Sequence, residues 1–102
     1  MLYIVLIAVA RSRAQEWESY MSGTHIQDMM DTGCFESAYM ARDEAADTAE
    51  RVGWRVIYVL EDQRSLDRYM SDHAAAMRED HTRAFGGVVQ ASREILPVTA
   101  RA

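Results

Sequence analysis

Leu2–Ala10, LYIVLIAVA, is an unbroken run of nine apolar residues near the start of the chain, and its reading decides the fold. A helix crossing a bilayer needs about 20 such residues, so this run is too short to make one. A secretory leader would have basic residues before the run and a small-residue cleavage site after it. Here no basic residue precedes it, and Arg11 and Arg13 follow. Its Val, Ile, Leu and Tyr content suits a buried strand. Side chains alternate across a strand, so Tyr3, Val5, Ile7 and Val9 point one way and Leu2, Ile4, Leu6 and Ala8 the other. Both sets are apolar, so both faces of this strand are expected to be covered.

Three further segments outward from this run have strand character. They are Cys34–Arg42 after Gly33, Val52–Glu61 (VGWRVIYVLE), and Val88–Leu96 (VVQASREIL), the last closed by Pro97. Two stretches between them have helical periodicity. The first, Ala14 to about Thr32, carries Trp17, Met21, Ile26, Met29 and Met30. Ser22-Gly23 marks a kink in it, and Thr24 with Gln27 has the capping-box spacing of a helix that restarts. Gly33 stands where a C-terminal cap glycine belongs.

The second helical stretch runs from about Ser65 to Ala84. It places Leu66, Tyr69, Met70, His73, Met77, His81 and Ala84 on one face. Arg68/Asp72 and Glu79/Arg83 form i,i+4 pairs on the other face. Phe85-Gly86-Gly87 ends it. Asp43–Arg51 (DEAADTAER) is a polar insert joining the second and third strands.

The order β-α-β-β-α-β is the ferredoxin-like, split βαβ arrangement of the α+β class. It implies a four-stranded antiparallel sheet with two helices on one face. Residues 1–97 are expected to form one domain, with Val98–Ala102 a frayed tail. Two helices cover only one sheet face, yet the first strand is apolar on both. A second copy of the same sheet is the economical cover, which predicts a homodimer packed sheet to sheet with two-fold symmetry.

Composition agrees with this picture. At 102 residues, 49% hydrophobic and 26% charged, the chain can bury one core and not two. A net charge of −5 argues against nucleic acid, whose binding rests on clustered cations. The lone Cys34 cannot form an internal disulfide, so the default setting is the reducing cytoplasm, away from membranes.

Histidine is the first place to look for chemistry, because its pKa suits proton transfer near neutrality. His73 and His81 share a helix face about 12 Å apart, too far to share a metal ion. His25, on the first helix, could approach either one. More commonly such a histidine is simply hydrogen-bonded at a helix–sheet boundary. No H-E-x-x-H, paired cysteines or histidines at i,i+4 indicate a metal. Gly86-Gly87 lacks the spacing of a phosphate loop, no G-x-S-x-G elbow is present, and no basic motif near Cys34 in the sequence would activate it. No cofactor is expected, and a haem or redox role is the least favoured reading.

On the strands, Arg55 shares a face with Ile57 and Val59, while Tyr58 lies opposite with Trp54 and Val56. Tyr39 alternates with Met40, and Arg93 sits in the middle of the final strand. Glu36 and Glu94 are candidate ion-pair partners for these arginines, and such pairing is the ordinary fate of a strand arginine. Met21, Met29, Met70 and Met77 with Tyr69 would make an adaptable apolar lining between sheet and helices.

Two patterns carry a resemblance: W-x7-H-I-x-D-x3-T-G-x-F from Trp17 to Phe35, and Y-x3-H-x4-R-x2-H-x3-F from Tyr69 to Phe85. The chain resembles, from about residue 2 to 97, a family of small bacterial proteins known only as a domain of unknown function. The polar insert and the tail match poorly. That family is similar in fold to the dimeric α/β-barrel group, which includes cofactor-free monooxygenases, muconolactone-type isomerases, ring-modifying proteins and haem-degrading enzymes. The resemblance supports the fold and the homodimer and supplies no reaction; histidines on otherwise apolar faces, taken with that fold, suggest a small hydrophobic, cyclic organic molecule held between sheet and helices. His25, His73 and His81 would be its acid/base groups, and Trp17, Tyr39, Arg55 and Tyr69 its substrate contacts. A cofactor-independent isomerase, cyclase or monooxygenase is the corresponding activity. The alternative is a non-catalytic structural or interaction homodimer whose histidines only pack.

Overall fold

The computed structural model describes residues 1–102. Strand β1 (Leu2–Ala10) runs into a 3-10 turn at Arg11–Arg13 and then helix α1 (Ala14–Tyr20). A π-helical turn (Met21–His25) joins α1 to α2 (Ile26–Asp31). Strands β2 (Ser37–Arg42) and β3 (Arg51–Val59) follow, then α3 (Gln63–Asp72), α4 (Ala74–Phe85) and β4 (Val89–Leu96). The four strands form one antiparallel sheet in the order β2-β3-β1-β4. This is the ferredoxin-like α+β fold of the dimeric α/β-barrel type.

The register assigns every strand residue to a face. Tyr3 is opposite Tyr58 and Ile95, Val5 opposite Val56 and Arg93, and Ile7 opposite Trp54 and Ala91. These face the helices. The core there is Tyr3, Ile7, Val9, Trp54, Val56 and Tyr58, closed by Trp17, Met21, Met29, Leu66, Tyr69 and Phe85. The other face presents Leu2, Ile4, Leu6 and Ala8 beside Val59, Ile57, Arg55 and Gly53 of β3; α1 to α4 all lie on the opposite side, and the short hairpin turn Glu44–Ala46 covers only the Gly53 end. Tyr39 lies on that face next to Ile57 and is 60% exposed.

The first expected helix is continuous but widened in its middle, and the second is broken in two. Trp17, Met21, His25 and Met29, all buried, follow one another at three successive steps of four. Each such step overshoots a 3.6-residue turn by about 40°, and the wider π turn takes up that excess. The helix therefore runs on through Ser22-Gly23. The expected restart at Thr24 does not form, because His25 and Ile26 keep helical backbone angles with no side-chain cap.

The second helical stretch breaks at His73, whose φ of −131° departs from the helix. Its buried residues are Leu66, Tyr69, Ala74 and Phe85, so the stripe steps by five between Tyr69 and Ala74. The break absorbs the extra residue. For the same reason Met70 and Ala84, expected inside, are exposed.

Local signals elsewhere behave as their chemistry dictates. Gly33 caps α2 at φ +76°, and Asp62 caps α3 by accepting from the Ser65 amide at 3.0 Å. Glu79–Arg83 pairs at 3.0 Å. Arg68 does not pair with Asp72; it donates to the Gly33 carbonyl at 2.7 Å and to the Cys34 sulfur at 3.4 Å. The polar insert is clasped by Asp47, which accepts from Arg42 at 2.8 and 3.0 Å and from the Gly53 amide at 2.7 Å. Gly53 has no room for a side chain, since a Cβ there would lie 2.6 Å from the Asp43 carbonyl oxygen. No helix is long and apolar enough to cross a membrane.

Candidate functional site

Between the sheet and the helical layer, β1, β3 and β4 floor a cleft that the π turn, α2, α3 and α4 roof over. Its interior volume is about 40 Å³. That is room for a water or two, and a ring would require the layers to part. Tyr3, Val5, Ile7, Val56 and Tyr58 form the floor. Met21, His25, Met29, Tyr69, Met77 and His81 form the roof. Arg78 of α4 and Arg93 of β4 stand at the exposed margin.

The two histidines face each other with ring centroids 5.6 Å apart. The indole N–H of Trp17 donates to His81 Nε2 at 2.9 Å. That bond leaves Nδ1 to carry the His81 proton, making Nδ1–H a donor. His25 is held by stacking on Tyr20 at 5.8 Å, and its Nδ1 is buried with no hydrogen-bond partner. An orphaned polar atom of this kind is uncommon in a folded interior.

Burial lowers the pKa of both rings. It brings His81 to about 4, helped by the His25 ring and the Arg93 charge. His25 is lowered by burial despite the opposing influence of Asp28 and Asp80. Both are neutral imidazoles at pH 7, one a fixed donor and the other with a free nitrogen. Burial raises the Tyr58 and Tyr69 phenols, so these stay protonated. Tyr69 donates to the Met29 sulfur at 3.3 Å, and Arg78 donates to the Tyr3 hydroxyl at 3.4 Å.

The structure thus brings together His25, His81 and Tyr69 of the sequence-predicted site residues, with Trp17 directly behind His81. His73 is apart from them, at the α3–α4 break. Tyr39 and Arg55 lie on the opposite sheet face, where Arg55 pairs with Asp43 at 3.0 Å rather than with Glu36 or Glu94. Tyr58 and Arg93, noted among the polar residues of the strands, line the cleft as well, and Tyr3 and Arg78 join them without having been proposed as site residues. For Arg93 a signal existed: it alternates in step with Val89, Ala91 and Ile95, the side of β4 that faces the helices. No three His, Cys, Asp or Glu side chains are grouped to hold a metal ion. A shallower groove of about 330 Å³ lies on the other sheet face, between Leu6, Ala8, Gln90 and the hairpin residue Asp43. It contains no histidine.

Comparison with known proteins agrees with this geometry at the level of fold. The crystal structure of an ethyl tert-butyl ether degradation (EthD) family protein from Bacillus halodurans C-125 superposes with a TM-score of 0.64. The match covers 95% of this chain and 100% of that one at 13% sequence identity. No curated protein matches the chain. The family described as domain of unknown function DUF4286 matches residues 1–99, and the chain belongs to that family.

Proposed function

We propose that the protein is a homodimer that binds a small, largely apolar cyclic molecule between sheet and helices and moves a proton on it without a cofactor. The observation that carries this reading is the buried, unpartnered Nδ1 of His25 beside the tautomer-fixed His81. In the tautomer with its proton on Nε2, Nδ1 would accept from a ligand N–H or O–H or take the proton of an acidic C–H. A neutral imidazole is the competent form of a general base. The Nδ1–H of His81 is available to an oxygen of the same ligand. Isomerisation or cyclisation needs only such proton movement, whereas a monooxygenase reaction would also need dioxygen as co-substrate.

The methionines Met21, Met29 and Met77 support the reading, because unbranched thioethers re-pack at little expense when a ligand enters. The apolar second face of the sheet supports the homodimer, and the buried, unpaired Cys34 suits the cytoplasm. The small interior volume favours the second reading, an interaction dimer with a solid core.

Thermal unfolding against a panel of small aromatic and alicyclic compounds separates the two, with native mass spectrometry for any ligand carried through purification. A compound that raises Tm for the wild type, with the rise lost in His25→Phe, is the expected result. If no compound raises Tm and nothing co-purifies, the interaction dimer stands instead.

A further inference from the structure

We infer that the molecule taken by this cleft is an anion, an aromatic or alicyclic carboxylate whose acid group is held at the margin by Arg93 and Arg78. This rests on the ligand-binding reading above and names its substrate class.

The ion pairs of the molecule engage Arg13, Arg42, Arg55, Arg83 and Arg101. Arg78 and Arg93 are in none of them. Arg78 meets only the neutral Tyr3 hydroxyl and the Met70 sulfur. The Arg93 side chain makes no hydrogen bond to the protein, although it stands on the helix-facing side of β4 among Val89, Ala91 and Ile95. Arg11, Arg51, Arg64 and Arg68 are outside the ion pairs too, three of them donating to backbone carbonyls; what sets Arg78 and Arg93 apart is that both line the cleft, with no carboxylate beside them there.

They also converge. Both line the same cleft as Tyr69 and His81. The neighbouring acids are engaged elsewhere: Glu79 and Asp80 contact Arg83, at 3.0 and 3.6 Å. A guanidinium matches a planar carboxylate with two parallel N–H···O bonds, and such charge-assisted pairs are the strong ones. Behind the margin the lining is tyrosine, methionine and valine, which suits the apolar body of an organic acid. The His25 nitrogen then faces the far end of that body. The carboxylate serves as the handle, and the imidazoles sit where the chemistry would be.

The test uses benzoate, its uncharged isostere benzamide, and phenyl phosphate, with binding read by calorimetry and by Tm shift. The wild type, Arg93→Gln, Arg78→Gln and His25→Phe are compared. Arg93 is exposed on an edge strand, so its substitution leaves the core intact. The expected result is benzoate binding that exceeds benzamide binding about tenfold or more and weakens with added salt. Arg93→Gln removes the difference, leaving benzoate and benzamide alike. Equal binding of the two by the wild type overturns the anion while sparing the ligand reading. So does a benzoate preference that survives both arginine substitutions. Tighter binding of phenyl phosphate overturns the carboxylate. If no probe binds the wild type and the wider panel also fails, the ligand reading falls and takes this inference with it.

Discussion

At the scale of single residues, the pair His25 and His81 determines how the protein responds to pH. Both imidazoles have folded-state pKa values below the ordinary 6.5, His81 at about 4. As pH falls through 6.5 the unfolded chain takes up protons that the folded chain refuses. Stability attributable to these groups is therefore full above pH 6.5 and is lost between there and about pH 4. Asp28 and Asp80 soften the effect at His25, while Arg93 sharpens it at His81. The urea midpoint is expected to fall with pH across that window. In His81→Gln, which keeps an acceptor for the Trp17 indole but cannot titrate, the fall should be shallower. The difference should stay below about 1.4 kcal/mol per pH unit, the limit for one proton, because the ring is partly solvated. Superimposable profiles for the two proteins would remove His81 from the account.

Among the elements, the sheet was largely legible in the sequence and the helices only roughly so. Strand faces follow from parity, and Leu2–Ala10 with Val52–Glu61 carried enough apolar residues to show both. The ends were harder: Cys34–Glu36 leads into β2 as irregular chain, with Cys34 and Phe35 turned into the core. Helix periodicity, by contrast, blurs a step of four into a step of 3.6. The run Trp17–Met21–His25–Met29 looks like an ordinary amphipathic face until three such steps accumulate. The jump from Tyr69 to Ala74 is similarly hidden by the apolar Met70 and by His73. The meeting of His25 with His81 could not be read from spacing at all, since it depends on how two separate helices lie on one sheet.

The π turn makes its own prediction. Deleting Gly23, whose surroundings are open, changes the buried spacing to four, three, four, the stripe of a regular α-helix. Removing a mid-helix glycine and its poorer hydrogen bonding should leave Tm unchanged or slightly higher. The His25 ring, however, is displaced by about 1.5 Å along the axis, and the benzoate response should vanish. A Tm drop of many degrees in circular dichroism would instead make the turn a packing requirement.

For the molecule as a whole, the uncovered sheet face is the governing feature. Leu2, Ile4, Leu6, Ile57 and Val59 form an apolar surface on the side away from α1 to α4, bounded by Arg55 and by the hairpin turn at Gly53. Sedimentation should show a dimer at micromolar concentration. Leu6→Arg, which sets a second cation beside Arg55 on that surface, should shift it to monomer. A wild type that sediments as a monomer would overturn the homodimer. The last strand gives this assembly a further property. Along β4 successive residues alternate between the two faces, so Arg93 attends the cleft and Glu94 the opposite surface. One strand therefore carries a residue of each surface. Whatever factor an acid seated on Arg93 applies to the binding of a second copy over Glu94, that copy applies the same factor to the acid, as thermodynamic reciprocity demands.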